Sequence, residues 1–525
     1  MGAYAPPVLP QQRRLGRSGR RRNAFALRAA AVALILTATL GAWSGMATSE
    51  TGTAGSAAAD YAAAFTAKKS CEVTQAPREL RGMWLTTVRN IDWPSRPGLP
   101  EETVKAEYKA WLDLAVRMNH NAVFVHIRPS GDAFWPSKYA PWSSWLTGRK
   151  DGADPGWDPL AFAVAEAHAR NLEFHAWFNP YKASQDPVAP ANYPHREWTV
   201  TYPAAGAERH AYFDPGIPEA RAYVEDSILE AVQGYDLDGV HFDDFFYPYP
   251  KAGQPFPDAA SYARHGAGMT VADWRRHNVD LLVQETNARI KAVKPWVKFG
   301  ISPFGIWRNS GSDPSGSATR GLESYSAIYA DSRRWVREGW LDYIVPQLYW
   351  HIGFDIADYA VLLRWWTALV RGTKVQLYIG QADYRVGQSG AWSDPGQLQR
   401  QLALNRAAGV QGSVHFSAKS VRTNKLGAVT RYRQALNATP ALVPVMGQLP
   451  ADRPDAPTHV VVRASAGHAT VTWQPPSAGP RPARYAVYRA GELVATVPAA
   501  TLSWTDDAPG DAYCVTALDR LWNES

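Results

Sequence analysis

The segment Asp238-Gly-Val-His-Phe-Asp-Asp-Phe-Phe-Tyr-Pro248 alternates polar and apolar side chains before it enters an aromatic run. The alternation predicts a β-strand over Gly239–Asp244 in which His241 and Asp243 share one face, while the other face is apolar. Burying polar groups along a strand is unfavourable unless partners, water or a ligand satisfy them. We therefore interpret this segment as a buried strand that ends at a polar site.

Seven further segments read as strands, and helical patterns lie between them. The eight predicted strands are Leu80–Thr87, Ala122–Arg128, Glu173–Asn179, Gly239–Asp244, Lys298–Pro303, Tyr343–Tyr349, Val375–Gln381 and Ser413–Ala418. The predicted helices are Glu101–Met118, Pro159–Arg170, Pro218–Gly234, Val271–Val293, Leu322–Glu338, Asp355–Val370, Asp394–Ala408 and Asn424–Leu436. This alternation indicates parallel strands joined by crossover helices, and eight repeats predict an α/β (β/α)8 barrel, or TIM barrel, with extended loops. The alternative is a doubly wound open sheet, but no G-x-G-x-x-G turn follows the first strand.

Polar side chains recur in the same two-residue period on four other predicted strands. They are His126 and Arg128, then His175, Trp177 and Asn179, then Gln347 and Tyr349, and finally His415 and Ser417. Alternate residues of a barrel strand point inward, and the chemistry of such barrels lies at the carboxyl ends of the strands. We therefore expect a ligand site at the barrel mouth. In the alternative interpretation, these groups satisfy one another inside the barrel.

Tryptophan is abundant, with 22 residues in a chain of 525. Many of these side chains lie at or just beyond predicted strand ends, namely Trp135, Trp142, Trp145, Trp157, Trp177, Trp307 and Trp350. Aromatic faces stack on sugar rings, and polar groups placed among them bond the hydroxyls. The pattern favours a carbohydrate ligand, although any single tryptophan can equally pack between barrel and loops.

Glycoside hydrolysis requires one carboxyl group as a proton donor and a second as nucleophile or base. Asp243 and Asp244 are the candidate catalytic pair, and Asp132 or Asp383 can supply a carboxylate from another strand end. The candidate substrate-binding residues are Arg128, Asp132, His175, Trp177, Asn179, His241, Trp307, Gln347, Tyr349, Trp350 and Asp383. The alternative role of Asp243 and Asp244 is to bond loop amides or Arg128.

Other catalytic classes find little support in the sequence. The histidines lie on different strands and no H-E-x-x-H motif occurs, so we expect no metal site. A serine nucleophile lacks its G-x-S-x-G turn, and no cofactor motif is present. Two cysteines, Cys71 and Cys514, exclude a disulfide-rich scaffold, an iron–sulfur cluster and a cysteine-based zinc site, and we do not expect them to pair.

Five segments of the sequence resemble the corresponding segments of a known family. They are Arg78–Thr87, His175–Tyr181, Asp238–Pro248, Gly300–Arg308 and Pro346–Trp350. These segments occur in the same order as in the glycosyl-hydrolase-like family ten, within about residues 77–440, and together they resemble that family. The family includes bacterial cell-envelope proteins and divisome-localised glycosyl hydrolases. The resemblance implies a barrel of the glycosidase superfamily and, for the divisome members, cleavage of peptidoglycan glycan strands that lack stem peptides. Asp243 and Asp244 match the family's DGxHFDD segment.

The amino-terminal residues are basic and then apolar. Residues 1–47 contain seven arginines and no acid, which accounts for the whole net charge of +7 and removes the main support for nucleic-acid binding. The apolar run Ala29–Gly41 and the small residues near Ala47 predict a signal peptide over residues 1–47, followed by a flexible leader over 48–76. We expect a secreted, extracellular or cell-wall-associated protein with no stable membrane anchor after cleavage. An uncleaved anchor is the alternative.

The pattern changes after the predicted barrel domain, residues 77–440. A proline-rich linker over 441–456 precedes short β runs that resemble a fibronectin type III module over 457–525. The runs are Thr458–Val462, Ala469–Gln474, Arg484–Arg489, Leu493–Pro498 and Ala512–Asp519. No segment matches the final strand of such a module, so we expect it to be incomplete. We also expect a barrel that ends near Pro440 to fold alone.

Two functional hypotheses follow. The first is a secreted glycoside hydrolase that acts on a cell-wall polysaccharide, with Asp243 essential. The second is a non-catalytic glycan-binding protein on a glycosidase fold. Both use the same aromatic surface, so composition does not separate them. The approach of two carboxyl groups at the barrel mouth, to about 5–10 Å, would favour the enzyme.

Overall fold

A computed structural model describes residues 64–65, 76–203, 208–465 and 467–525. The predicted signal peptide over 1–47 lies outside the described residues, as does most of the leader over 48–76. None of the described helices combines the length and the apolar character needed to cross a bilayer.

Eight parallel strands close into a barrel, as the sequence predicted. They are β1 (Leu80–Leu85), β2 (Ala122–Arg128), β3 (Glu173–Phe178), β4 (Gly239–Phe242), β5 (Lys298–Ile301), β6 (Tyr343–Ile344), β7 (Gln376–Gln381) and β8 (Gly412–His415). Each strand pairs with the next along the chain, and β8 pairs with β1. This closure excludes the open sheet. Strand β6 is much shorter than the predicted Tyr343–Tyr349, since Pro346 has no N–H group for the ladder.

The crossover helices surround the strands. The main ones are α1 (Glu101–Arg117), α2 (Pro159–Ala169), α3 (Pro218–Gly234), α4 (Val271–Val293), α5 (Ser332–Arg337), α6 (Tyr359–Val370), α7 (Gln397–Ala407) and α8 (Ala428–Ala435). Short helices occur at Ser144–Thr147, Ala259–His265, Ser324–Ala327 and Ala418–Thr423. The predicted helix Leu322–Glu338 is interrupted because Tyr329 has a φ of 57°, which no right-handed helix contains. Asp331 then caps α5 by accepting the Arg334 N–H.

Alternate residues along the barrel strands belong to two different buried clusters. The outward cluster packs under the helices, and the inward cluster fills the barrel. Inward residues include Trp84, Phe124, Trp177, Tyr343, Tyr378 and Val414. Strand β8 contradicts the prediction that His415 and Ser417 face inward, because Val414 fills the interior and the His415 ring stacks on Tyr432 of α8 at 4.9 Å. Both faces of β8 are buried, so a period of two did not reveal which face is inside.

A chain of hydrogen bonds crosses the barrel interior. The Trp84 indole donates to Nε2 of His241 at 3.1 Å, and Nδ1 of His241 lies 3.3 Å from the Tyr343 hydroxyl. That hydroxyl contacts Nδ1 of His175 at 2.9 Å, and Nε2 of His175 contacts Glu173 at 3.0 Å. Burial holds the pKa of His241 well below its ordinary value, so this ring is neutral and one nitrogen accepts.

This series of hydrogen bonds ends at Glu173, whose carboxylate lies at the amino-terminal end of β3, the bottom of the barrel. Glu173 accepts hydrogen bonds from Nζ of Lys298 at 2.6 Å and from the indole of Trp522 at 2.8 Å. Burial alone raises the pKa of this carboxyl, but Lys298 and His175 outweigh it and lower the pKa to about 2. Trp522 comes from the far end of the chain, so the carboxy-terminal part closes the bottom of the barrel.

The carboxy-terminal strands form two antiparallel sheets. They are β9 (Thr458–Ser465), β10 (His468–Gln474), β11 (Arg484–Arg489), β12 (Glu492–Pro498), β13 (Ser503–Asp506) and β14 (Tyr513–Leu518). The first sheet contains β9, β10 and β13 with the short strand Ala64–Phe65, and the second contains β12, β11 and β14. The antiparallel sheets agree with the predicted β module, whereas the fibronectin type III likeness stays a prediction.

One sequence-based expectation about the carboxy-terminal part is wrong, and a second stays a prediction. Cys514 is in a disulfide bond, although we expected the cysteines to stay unpaired; Cys71, the other cysteine of the chain, lies outside the described residues. The barrel also shares buried contacts with residues after Pro440, while the folding of a barrel that ends near Pro440 stays a prediction. Its inward cluster continues through Leu442 of the predicted linker to Leu521 of the tail, because these apolar side chains fill the open bottom.

We predict that Trp522→Ala destabilises the whole chain. Trp522 is fully buried, and its loss leaves a cavity and removes a donor from Glu173. Substitution of a buried tryptophan by alanine lowers the free energy of unfolding by about 3–5 kcal/mol, measurable by denaturant unfolding. The control Leu502→Ala changes a side chain that is 37% exposed and should stay within about 0.5 kcal/mol of the original. A loss below about 1 kcal/mol in Trp522→Ala would contradict the shared core.

Candidate active site

Two consecutive carboxyl groups lie at the mouth of the barrel. Asp243 and Asp244 follow the last residue of β4, and each is only 6% exposed. Neighbouring side chains on a strand point to opposite faces, but the strand has ended here. Asp243 interacts with Trp177 of β3, whereas Asp244 interacts with Gln347, which follows β6. The pair therefore bridges the mouth from one side to the other.

Few hydrogen-bond donors offset the burial of the Asp243 carboxyl group. Burial and the neighbouring charge of Asp244 raise the pKa of Asp243 well above its ordinary value. The Phe245 amide donates to Oδ1 of Asp243 at 3.0 Å, and this bond and the Trp177 side chain offset only part of the shift. Asp243 thus holds a proton at a pH where an exposed aspartate is ionised, as a general acid must.

Asp244 is better supplied with donors. Burial also raises its pKa, but the Tyr249 hydroxyl donates to Oδ2 of Asp244 and the Gln347 side chain interacts with it as well. Gln347 is itself oriented by a hydrogen bond from its amide nitrogen to the Ser302 carbonyl, at 2.9 Å. Of the two neighbouring carboxyls, Asp244 is therefore the one that ionises more readily. Environments that shift two neighbouring pKa values unequally are typical of an acid and base pair.

Aromatic side chains form the walls around the pair. On the β3 side, the Trp177 ring stacks on His126 at 3.9 Å, and its indole N–H donates to Oδ1 of Asn179 at 3.1 Å. On the β6 side, Tyr349 packs flat against Phe416 at 6.2 Å. Burial and nearby acidic groups, including Asp243 and Asp244, raise the pKa of Tyr349, which places this hydroxyl close to the pair.

Trp350 continues the β6 wall. It lies next to Tyr349 in sequence, and its ring packs edge-on against Phe304 at 5.7 Å. Both Trp350 and Tyr349 are half-buried, as expected for residues that line an open mouth. The structure thus brings together five of the predicted substrate-binding residues, namely Trp177, Asn179, Gln347, Tyr349 and Trp350.

Four other predicted binding residues are used within the protein. His175 and His241 belong to the hydrogen-bonded chain in the barrel interior. Trp307 donates to Asp331 at 2.7 Å and stacks on Trp365 at 5.9 Å, so it packs in the helical layer. Arg128 is fully buried and donates from Nη1 to the Asn179 carbonyl at 3.0 Å, which makes it a support for the mouth.

The two alternative carboxylates are bound by protein donors. The Ser143 hydroxyl donates to Asp132 at 2.6 Å and the Ser130 amide donates to it at 3.0 Å. Burial raises the pKa of Asp132 to about 6. Asp383 accepts from Nδ1 of His415 at 2.9 Å. Asp132 braces its loop and Asp383 pairs with a histidine, so Asp243 and Asp244 are the stronger catalytic candidates.

A cavity of about 250 Å³ opens between the loops that follow β2 and β3. Its lining combines aromatic rings with polar and charged groups, the main ones being Asp132, Trp142, Trp145, Lys150, Gln185 and Tyr193. The buried Gln185 Oε1 has no hydrogen-bond partner in the described part of the chain. Aromatic and polar groups in a concave site are typical of sugar-binding subsites.

Sequence reasoning missed a lysine at the mouth. Lys182 begins a short strand, Lys182–Ser184, which pairs with Arg209–Phe213 in a sheet above the barrel. Its Nζ contacts Nδ1 of His210 and lies 3.1 Å from the Tyr212 hydroxyl, and Asp243 is near enough to influence its pKa. The sequence pattern predicts no strand in this segment, so no strand register points to this side chain.

Within the described residues, no group of three or more His, Cys, Asp or Glu is arranged to hold a metal ion.

Comparison with known proteins places the chain in a family. The family model described as glycosyl hydrolase-like 10 matches residues 79–396. The chain belongs to this family. It is 45% identical over 481 residues to glycosyl hydrolase YngK of Bacillus subtilis (strain 168), covering 86% of this chain and 92% of YngK. It is 39% identical over 381 residues to glycosyl hydrolase DigH of Escherichia coli (strain K12), covering 66% of this chain and 85% of DigH.

Family membership makes this chain a glycoside hydrolase, as the sequence predicted. Among solved structures, the glycoside hydrolase domain of PgaB (BpsB) from Bordetella bronchiseptica is similar with a TM-score of 0.43 at 14% identity, covering 68% of this chain and 98% of that domain.

We predict that Asp243→Asn stabilises the protein at neutral pH. The pKa of Asp243 is higher in the folded state than the ordinary value of about 3.8, so the carboxyl favours the fold below about pH 3.8 and disfavours it as pH rises through the folded-state pKa. Asparagine keeps the hydrogen bond from Phe245 and removes the titration. Thermal unfolding should show a higher Tm than the original chain at pH 7, with the difference vanishing near pH 3.

We predict that Glu173→Gln changes the stability of the protein in the opposite direction to Asp243→Asn. Its pKa is lowered to about 2, so its carboxylate stabilises the fold above about pH 4.5 and loses this contribution as pH falls toward 2. This variant should be destabilised at pH 7 and less so in acid. Equal pH dependence of the two variants would contradict the electrostatic assignment.

Proposed function

We propose that this glycoside hydrolase is exported and cleaves a glycan of the bacterial cell wall. The observation that carries the catalytic part is the buried pair of neighbouring carboxyls, Asp243 and Asp244, at the mouth of the barrel with aromatic walls on both sides. Export is supported by the basic and apolar composition of residues 1–47. Sequencing the amino terminus of the protein from culture medium or cell wall tests this part.

In the proposed reaction, Asp243 donates its proton to the glycosidic oxygen. Asp244, held by Tyr249 and Gln347, then acts as the carboxylate, either attacking the anomeric carbon or activating a water molecule. Departure of the protonated sugar leaves Asp243 ionised next to Asp244. If Asp244 has attacked, Asp243 takes a proton from the water that hydrolyses the glycosyl ester, which restores the Asp243 acid and the Asp244 carboxylate. If Asp244 has activated water, it holds the water proton, and transfer of that proton to Asp243 restores both groups.

The proposed substrate is peptidoglycan glycan from which stem peptides have been removed. The support is the resemblance of five sequence segments to a family whose divisome members cleave such strands. Trp177, Tyr349 and Trp350 supply the aromatic faces for sugar rings, and Asn179 and Gln347 supply amides for hydroxyl groups. These roles define the central binding site of the proposal.

Asp243→Asn and Asp244→Asn test the catalytic assignment. On purified strands treated with an amidase to remove stem peptides, we expect each variant to lose about 10²–10⁴ in kcat, since asparagine neither donates a proton nor acts as a carboxylate. Released fragments are quantified by chromatography and mass spectrometry, and circular dichroism verifies folding.

Exposed Asp154, on the loop between β2 and α2, provides a matched control. Asp154→Asn should retain full activity. Near-normal turnover by folded Asp243→Asn would contradict the assignment and direct attention to Asp132 or Asp383. Binding of strands by the unmodified protein without any cleavage would instead support the glycan-binding hypothesis.

Trp142→Ala tests whether the cavity between the β2 and β3 loops extends the binding site. Loss of a stacked ring should lower kcat/KM for long strands about 3–10-fold, since aromatic stacking contributes roughly 0.5–1.5 kcal/mol. Fragments short enough to fill only the central site should be cleaved at the original rate. An equal loss on short and long strands would show that Trp142 supports the loop and does not bind sugar.

A further inference from the structure

Lys182 is a buried ammonium group without a carboxylate partner. Its side chain is almost fully buried, at 2% exposure, yet it forms no ion pair with any residue that the structure describes. The groups in hydrogen-bond contact with Nζ are the imidazole of His210 and the hydroxyl of Tyr212. Burying a cation is unfavourable unless an anion and hydrogen bonds compensate it.

Two acidic groups lie near Lys182, but neither forms an ion pair with it in the described part of the chain. Burial, together with the guanidinium of Arg89, lowers the pKa of Lys182 to about 7, while Glu208 and Asp243 oppose the shift. Glu208 is already paired with Arg89, and burial and the charge of Asp244 raise the pKa of Asp243 well above its ordinary value. No carboxylate in contact with Lys182 therefore balances its charge.

His210 is arranged to orient the lysine. Burial and the Lys182 charge lower the pKa of His210 to about 4, so its ring is neutral. Its Nε2 lies 3.3 Å from Oε2 of Glu208, which places the proton on Nε2 and leaves Nδ1 as the acceptor for Lys182. The lysine is thus held in place by neutral groups and not by a carboxylate.

We propose that Lys182 and Tyr212 form a subsite for a carboxylate carried by a sugar of the substrate, beside Asp243. This inference rests on the proposed function. In a glycan strand without stem peptides, the lactyl ether of each muramic acid ends in a free carboxylate. An attached peptide converts that carboxylate to a neutral amide. A desolvated lysine distinguishes the two forms, because it gains a charge-assisted hydrogen bond only from the carboxylate.

The experiment compares two substrates that differ only in this group. One is amidase-treated glycan strands, and the other is the same strands with the lactyl carboxylates reduced to alcohols. For each enzyme we measure the ratio of kcat/KM on carboxylate strands to kcat/KM on reduced strands. The enzymes are the original chain, Lys182→Met, Lys182→Arg and the control Lys374→Met, which replaces an exposed lysine just before β7 at the opposite end of the barrel.

The original chain and Lys374→Met should prefer carboxylate strands about 10–100-fold, the range expected for a hydrogen bond to a charged group. The preference should fall to about one in Lys182→Met, chiefly through KM, and should persist in part in Lys182→Arg. An unchanged preference in Lys182→Met would overturn the proposal. So would an equal loss of activity on both substrates, which would assign Lys182 to the chemistry of Asp243 or to folding.

Two further outcomes separate this inference from the proposed function. If the original chain cleaves neither substrate, the proposed function fails, and calorimetric titration of the unmodified protein with both strands still tests the carboxylate subsite. If Lys182→Met does not fold, the same titration decides the matter. Equal affinity for carboxylate and reduced strands would then overturn the proposal.

Discussion

The carboxylate of Glu173 holds together parts of the chain that are far apart in sequence. It is fully buried, and three donors reach it, from Lys298 on β5, His175 on β3 and Trp522 in the tail. A buried ion pair is tolerated only when such hydrogen bonds offset desolvation. The same carboxylate begins the hydrogen-bonded chain that leads through His175 and Tyr343 toward the mouth. The bottom of the barrel is therefore a compensated polar centre capped by an apolar tail.

The two ends of the barrel shift the pKa values of their carboxyl groups in opposite directions. At the bottom, the pKa of Glu173 is lowered to about 2 because charge and donors surround it. At the mouth, burial and mutual repulsion raise the pKa values of Asp243 and Asp244, and the available donors offset only part of the shift. The first arrangement contributes stability at neutral pH, and the second opposes it. Proteins commonly accept such local instability where catalysis requires a reactive group.

The two carboxyl groups at the mouth have different surroundings although they are consecutive residues. Asp243 and Asp244 are neighbours in sequence, but the strand ends at Phe242, so one carboxyl lies beside Trp177 and the other beside Gln347. Both carboxyl groups are buried, and burial strengthens these electrostatic differences. Lys182 lies near Asp243 and forms no ion pair within the described residues, and this arrangement is the basis of the proposed carboxylate subsite.

The sequence by itself determined the eight strands, the closed barrel, the inward register of β3 and β4, and the carboxyl pair at the end of β4. These follow from local periodicity, because neighbouring side chains on a strand must face opposite sides. The resemblance of the quoted segments also predicted the family correctly. Periodicity did not identify the inner face of β8, since Val414 and His415 are both buried and only packing decides which one fills the barrel.

Only the tertiary structure decided the remaining features. Lys182 reaches His210 across 28 positions through a sheet formed within a loop, and Trp522 reaches Glu173 across 349 positions. The sequence contains these residues but not their neighbours in space. Burial, charge compensation and the closing of the barrel bottom depend on groups brought together from distant parts of the chain, so they arise only when the whole chain has packed.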